Sequence, residues 1–252
     1  MSKISVVIIT LNEERNIERC LCSVNWADEI IVVDSGSTDA TLDICRRQGC
    51  RIVPIEWQGY GKAKQRGVEE AKNDWIFSID ADEEATPELR LRLQQLASAP
   101  TAEGYRIRRR SFYLGKLVRF SGWRNDYPLR FFNRRFGRYN DKVVHEGVEV
   151  QGRVGVIQEP LLHYTFPTVS SHLQKIERYA RLGAEEKAAH GKKSSVGKAV
   201  LRGMLEFLRI FVMRLGFLDG RRGLVLAVNS AFAAYVKYLM LWEMTERPNQ
   251  LY

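Results

Sequence analysis

The chain has 252 residues, 45% of them hydrophobic and 27% charged, with a mean hydropathy of −0.29. That is enough to bury a core, and it excludes a disordered, collagen-like or polytopic membrane chain. The formal net charge of +9 is unevenly spread: residues 1–103 carry 12 basic and 18 acidic side chains, 104–142 carry 12 and 2, and 168–252 carry 14 and 7. Different parts of the chain are therefore expected to meet different partners, and the basic parts anionic ones. The 4 cysteines, at positions 20, 22, 45 and 50, lack zinc-site spacing and are too few for a disulfide scaffold, so reduced thiols in a cytoplasm are expected. The apolar run from Val6 to Ile9 is too short for a signal peptide or an N-terminal anchor.

In chain order, short β-branched runs at Ile4 to Ile9, Glu29 to Val33, Arg51 to Ile55 and Trp75 to Ile79 alternate with helix-like stretches. The helices are expected near Glu13 to Ser23, Ala40 to Gln48, Gly61 to Lys72 and Pro87 to Leu96, with Asn12, Asp39 and Thr86 as candidate N-caps. This βαβαβαβ pattern predicts a mostly parallel sheet, buried on both faces, with its ligand at the carboxyl ends of the strands. Those ends carry Thr10-Leu11-Asn12-Glu13, Asp34-Ser35-Gly36-Ser37-Thr38-Asp39 and Asp80-Ala81-Asp82-Glu83. Any one of these acidic turns can be read as helix capping or solvated surface; three at successive strand ends point to a site. Asp80 and Asp82 offer hard oxygen ligands to Mg2+ or Mn2+, ions that need only one or two carboxylates beside substrate phosphates. Neither a P-loop nor a G-x-G-x-x-G fingerprint is present, which argues against P-loop NTPases and dinucleotide-dependent dehydrogenases.

Taken together, Val6-Val7-Ile8-Ile9-Thr10-Leu11-Asn12-Glu13, Val32-Val33-Asp34-Ser35-Gly36-Ser37-Thr38-Asp39, the segment from Gly59-Tyr60-Gly61 to Lys64, and Ile79-Asp80-Ala81-Asp82-Glu83 resemble family two glycosyltransferases of GT-A fold. The run from Arg130-Phe131-Phe132 to Val144-His145-Glu146-Gly147 is similar to the bacterial lipopolysaccharide-core β-1,4-glucosyltransferase branch. The resemblance implies an α/β GT-A domain over 1–167, with a nucleotide-sugar half (1–103) and an acceptor half (104–167), followed by a helical extension over 168–252. It further implies that Thr10, Asn12 and Glu13 line a nucleoside pocket and that Asp34 hydrogen-bonds the uracil or ribose. Lys64 would approach the diphosphate, and Asp80 with Asp82 would hold the sugar-nucleotide and its divalent cation. The family's Gln-Lys-Asn is replaced by Ala63-Lys64-Gln65-Arg66, so Arg66 competes with Lys64 for the phosphate role, and a plain surface helix face remains open for both. UDP-glucose as donor follows from the branch resemblance alone.

An inverting displacement needs a carboxylate to take the acceptor's proton. Glu146, beside His145 and following the basic tract, is the candidate base, with Asp141 and Asp126 in reserve; neutralising an arginine is its alternative role. The tract from Arg106 to Arg138 interleaves arginines with aromatic residues and suits a sugar-phosphate inner core better than nucleic acid; its Arg130 is counted with the substrate-binding residues. Beyond it, Val196 to Phe217 reads as an amphipathic helix with Lys198, Arg202, Glu206 and Arg209 in one sector, and Gly223 to Trp242 is apolar but for Asn229 and Lys237. The expected protein is thus a metal-dependent hexosyltransferase acting on a membrane-held glycolipid, peripheral on the anionic inner face of the cytoplasmic membrane. A polyprenyl-phosphate or protein acceptor, or a nucleotidyltransferase activity, is the alternative.

Overall fold

The computed structural model describes residues 2–140 and 147–246, which fall into two compact units, Met1–Arg110 with Asn125–His163 and Ser111–Arg124 with Tyr164–Tyr252. The basic tract is therefore divided, its stretch 111–124 belonging to the second unit.

The chain begins β1 (Ile4–Thr10), α1 (Ile17–Val24), β2 (Glu29–Asp34), α2 (Thr41–Arg47), β3 (Arg51–Pro54), α3 (Tyr60–Glu70), β4 (Trp75–Asp80). There follow β5 (Glu83–Ala85), α4 (Pro87–Ser98), β6 (Gly104–Tyr113), β7 (Lys116–Leu117), β8 (Leu129–Asn133), β9 (Gly137–Tyr139), β10 (Val148–Val150) and β11 (Val154–Phe166). The main sheet has the order β3-β2-β1-β4-β8-β6-β11-β5, with β7 on β6, while β9 and β10 form a separate ribbon. Its first four strands are parallel, and β8 then pairs antiparallel with both β4 and β6. This is a GT-A-like α/β sheet, mixed rather than uniformly parallel. Val6, Val7 and Ile8 of β1 are wholly buried, as a central strand covered on both faces requires. The chain winds one way through β1, β2 and β3 and the other way to β4, so the switch point lies between the carboxyl ends of β1 and β4, at Thr10 and Asp80.

Thr86 caps α4 as expected, accepting from the Leu89 N–H. Asn12 does not cap α1. It sits in the left-handed region at φ 55°, α1 begins only at Ile17, and the Asn12 side chain bonds across to the turn after β2 instead. Helix α3 lies unusually close to the sheet: a Cβ on Gly67 would stand 2.3 Å from Val7 Cγ1 and 2.9 Å from Val33 Cγ2. The buried stripe Gly61, Lys64, Gly67 and Val68 therefore faces β1 and β2, and Arg66, two positions from Lys64, points away.

In the second unit α5 (Val169–Ala189), α6 (Val196–Leu208) and α7 (Gly220–Glu246) pack together. The expected helix from Val196 to Phe217 ends early, breaking into a π turn at Arg209–Met213 and a 3-10 turn at Gly216–Asp219. The chain turns at Leu215, in the left-handed region at φ 55°, and Gly216 and Gly223 then approach so closely that a Cβ on Gly223 would lie 1.8 Å from the Gly216 carbonyl oxygen. Asp219 accepts hydrogen bonds from the Arg119 N–H (2.9 Å), the Phe120 N–H (3.1 Å) and Ser121 Oγ (2.8 Å), which fastens the 111–124 segment into this unit. The stretch Gly216–Glu246 is long and apolar enough to cross a membrane, and only 22% of its most apolar window is buried.

Asn229, which interrupts that apolar stretch, belongs to a buried trio: Tyr113 Oη and His172 Nδ1 lie 2.9 Å apart, and Asn229 Nδ2 stands 3.1 and 3.0 Å from them. Burial, and then the nearby Lys175 charge, pull His172 down from 6.5 to about 4. The folded state thus keeps His172 neutral while the unfolded chain takes up a proton below about 6.5. Its contribution is intact above that value and is lost as pH falls toward about 4. Between pH 7 and pH 5 the helical unit is expected to lose about 2 kcal/mol, read by urea unfolding; His172→Gln should flatten this part of the pH dependence.

Candidate active site

Around the switch point the carboxyl-end turns interlock. Asp34, opposite Thr10 in the β1–β2 register, accepts from the N–H groups of Gly36 (2.9 Å) and Ser37 (3.0 Å) and from the Ser37 hydroxyl. Gly36 at φ 101° allows this tight turn, a conformation an L side chain resists. Ser37 Oγ in turn accepts from the Asn12 N–H (2.9 Å), and Asn12 Oδ1 accepts from the Thr38 N–H (2.8 Å). The Glu13 N–H donates to Thr41 Oγ1 (2.8 Å), and the Glu13 carboxylate accepts from Asn16. Asp34 and Asn12 thus hold the two loops together, and any contact with a base or ribose comes in addition to that work. Thr10 Oγ1 is buried with no hydrogen-bond partner among the described residues, and such an atom needs a donor or acceptor from outside the chain.

On the other side of the switch point a chain of alternating charges runs inward. Lys64 Nζ lies 2.9 Å from Asp80 Oδ1, Arg130 pairs with Asp80, and the same guanidinium reaches Glu83 at 3.0 Å. Arg109 joins Glu83 at 3.0 Å to Asp126 at 2.7 Å. Glu83 is wholly buried and also accepts from the Asp80 N–H (2.9 Å). Burial would raise the Asp80 pKa, but Arg130 and then Lys64 outweigh it and hold the carboxyl well below its usual range. The same carboxylates raise Arg130 and Arg109 above the ordinary guanidinium value. Asp80 and Arg130 are therefore both charged, and loss of either would strand the other.

Four residues singled out in the sequence have charged partners within the chain. Asp80, expected to share the metal, gives its oxygens to Lys64 and Arg130. Arg130, expected to meet substrate, is buried within the charge chain. Arg66 pairs with Glu70 at 2.6 Å on the outward face of α3, so of the two candidate cations it is Lys64 that reaches the site. Asp126, a reserve base, is held by Arg109. Glu146, His145 and Asp141 lie outside the described residues.

Asp82 lies in the tight turn at 81–82, and its Oδ2 lies 3.3 Å from His163 Nε2. His163 comes from β11, set opposite Glu83 by the antiparallel β11–β5 pairing. Sequence reasoning missed it; the only local signal was one histidine closing an apolar run at Leu161-Leu162-His163. Among the described residues there is no cluster of three or more metal-ligating side chains. A carboxylate oxygen and an imidazole nitrogen converging at a partly exposed rim nevertheless fit a small divalent cation that takes its remaining ligands from substrate phosphates and water.

The cysteines take no part in such chemistry. All are free thiols, and burial pushes Cys45 up to about 12 and Cys50 to about 11, which leaves little thiolate at neutral pH.

The sequence profile of glycosyl transferase family 2 matches residues 5–157, which hold the residues of this site except His163. The chain belongs to glycosyl transferase family 2. The transferase is 31% identical over 257 residues to the lipopolysaccharide core biosynthesis glycosyltransferase LpsC of Rhizobium meliloti, with 98% of this chain and 95% of that protein covered. It is 32% identical to an uncharacterized glycosyltransferase of Rickettsia bellii, covering 98% and 88%. Among solved structures it is similar to glucosyl-3-phosphoglycerate synthase from Mycobacterium tuberculosis in complex with Mn2+ and UDP-glucose, 30% identical over 43% of this chain and 44% of that one, at a TM-score of 0.39.

Proposed function

We propose that the transferase moves a hexose, glucose from UDP-glucose, onto a membrane-held lipopolysaccharide-core glycolipid with inversion at the anomeric carbon. The observation that carries the chemistry is the Asp82–His163 pair standing at the same strand ends as the Lys64–Asp80–Arg130 chain. Asp82 and His163 would hold Mg2+ or Mn2+ against the donor diphosphate, where the ion supplies neutralisation of the charge developing on the leaving oxygen. Lys64, fixed by Asp80, adds a second cation to the same end of the sheet. Asp80, kept ionised by its neighbours, presents a preorganised acceptor to the sugar hydroxyls. The partnerless Thr10 hydroxyl is suited to the nucleoside. Glu146 would take the proton of the acceptor hydroxyl as it attacks opposite the leaving diphosphate.

The glycolipid acceptor draws support from the name of the Rhizobium relative and from the outer surface of α6. Leu201, Met204, Leu205 and Leu208 recur at i, i+3, i+4 and i+7, and each is at least half exposed. An apolar stripe facing outward is the pattern of a helix lying in a bilayer surface, here the cytoplasmic face of the inner membrane.

A nucleotide-sugar screen by thermal shift tests this reading. UDP-glucose with Mn2+ at 100 times its Kd should stabilise the protein by about 2.7 kcal/mol, and the shift should collapse with a chelator. GDP- or CMP-sugars should do little. Stabilisation by nucleoside triphosphates with release of pyrophosphate, and none by UDP-sugars, would make it a nucleotidyltransferase instead.

A further inference from the structure

Helix α6 is largely exposed. Only Ala199 and Gly203 are buried on it, and Gly203 lets it approach α7 so closely that a Cβ there would stand 3.2 Å from the Ala231 carbonyl oxygen. Leu201, Met204 and Leu208 face outward, while Arg202, Leu205, Glu206 and Arg209 border a cleft of about 700 Å3 lined by α5, α6 and α7. Tyr238, on the wall of this cleft, collects four cations from three helices, of which Arg202 and Lys237 line the cleft and Lys187 and Lys198 do not. Lys187 Nζ of α5, Lys198 Nζ of α6 and Lys237 Nζ of α7 lie 5.8, 5.8 and 5.9 Å from its ring centroid, and the Arg202 guanidinium carbon of α6 lies 5.2 Å away. Lys175, over the Phe166 ring at 5.1 Å, adds a fifth along the same wall. The one carboxylate lining the cleft, Glu206, is engaged by Arg209 at 2.6 Å. Among the described residues no carboxylate lies within ion-pairing distance of any of the four cations round Tyr238.

A single tyrosine face offsets at most a small part of the repulsion among four like charges. Lys237 is moreover held in place, its stem occupying room left by Gly183, where a Cβ would sit 3.0 Å from Lys237 Cδ. Converging lysines and an arginine without a carboxylate make an anion site, and several of them together suit a phosphate group. The remaining lining mixes apolar Ile176, Ala180, Ala233 and Ala234 with polar Tyr179 and Ser230, a surface that suits an amphipathic ligand better than a free inorganic anion. We infer that this cleft binds the phosphate head group of an anionic lipid at Tyr238, with the lipid's hydrocarbon along the apolar wall and the leucine stripe of α6 in the surrounding bilayer. The inference rests on the membrane part of the proposed function and not on its chemistry.

The test uses the full chain and vesicles of phosphatidylcholine, with and without phosphatidylglycerol. The parent should bind the anionic vesicles, and Lys198→Gln with Arg202→Gln should bind them roughly thirty-fold more weakly. Arg46→Gln with Arg47→Gln, an exposed pair at the end of α2 that removes the same charge, should change binding no more than about threefold. The thermal shift with UDP-glucose should be the same in all three proteins. Parental binding by the Lys198/Arg202 variant overturns the site and leaves the membrane reading standing. A parent that ignores anionic vesicles overturns both, while a retained UDP-glucose shift keeps the chemistry. Competition by inorganic phosphate as effective as by the vesicles, at equal phosphate, makes this a site for a soluble anion and overturns the lipid.

Discussion

Asp82→Ala is expected to lower hexosyl transfer by roughly 10^3-fold or more, the scale of a lost metal-ion contribution, while the fold survives. The side chain is 20% exposed and lies in a turn, so its removal spares the hydrophobic core. His163→Ala should act in the same direction. If the two side chains hold one ion, the double variant should be scarcely worse than either single one, because either loss already unseats it. Calorimetric titration of Mn2+ in the presence of UDP is the direct readout. Independent, multiplicative losses, or undiminished metal-dependent transfer by Asp82→Ala, would send the ion elsewhere.

Glu146→Gln keeps size and shape but cannot accept a proton, and should depress transfer by roughly 10^2- to 10^4-fold. Its affinity for UDP-sugar and metal should stay near the parent's. Slow hydrolysis of the donor by water should suffer less than transfer, since much of that background reaction depends on the diphosphate site alone. With Asp126 tied to Arg109 at 2.7 Å, near-parental transfer by the Gln variant would leave Asp141 as the next candidate and make Glu146 an arginine partner.

The parallel half of the sheet was legible because each strand and each helix announces itself locally, by β-branched runs and by caps such as Thr86. Lys64 was half legible. Whether it or Arg66 points inward depends on how α3 meets the sheet, and Gly67, a small residue in the same stripe, is the local sign that settles it. The pairing of Asp80 with Lys64 and Arg130 was not legible from its i, i+2 spacing to Asp82, since such spacing implies a shared face only while the strand continues, and here it turns between them. His163 was invisible for a different reason: it reaches Asp82 through pairing between β5 and β11, strands some eighty residues apart in sequence. The polarity of α6 was legible as a pattern, but a helical wheel does not say which of its two faces looks inward.

The 111–124 excursion bears on how this protein can be divided. The chain passes from one unit to the other at 110–111, 124–125 and 163–164, so no single cut separates them. A fragment ended before Asp219 keeps Tyr113 and Val118 but loses Leu226, against which they are buried, together with the Asp219 carboxylate that fastens 119–121. Such a fragment would carry a sticky, unfastened loop in the middle of its catalytic sequence. Dissection of this enzyme therefore calls for replacing 111–124 with a short turn at the same time as the C-terminal helices are removed, and homologues that have lost those helices should have a shorter connection between β6 and β8.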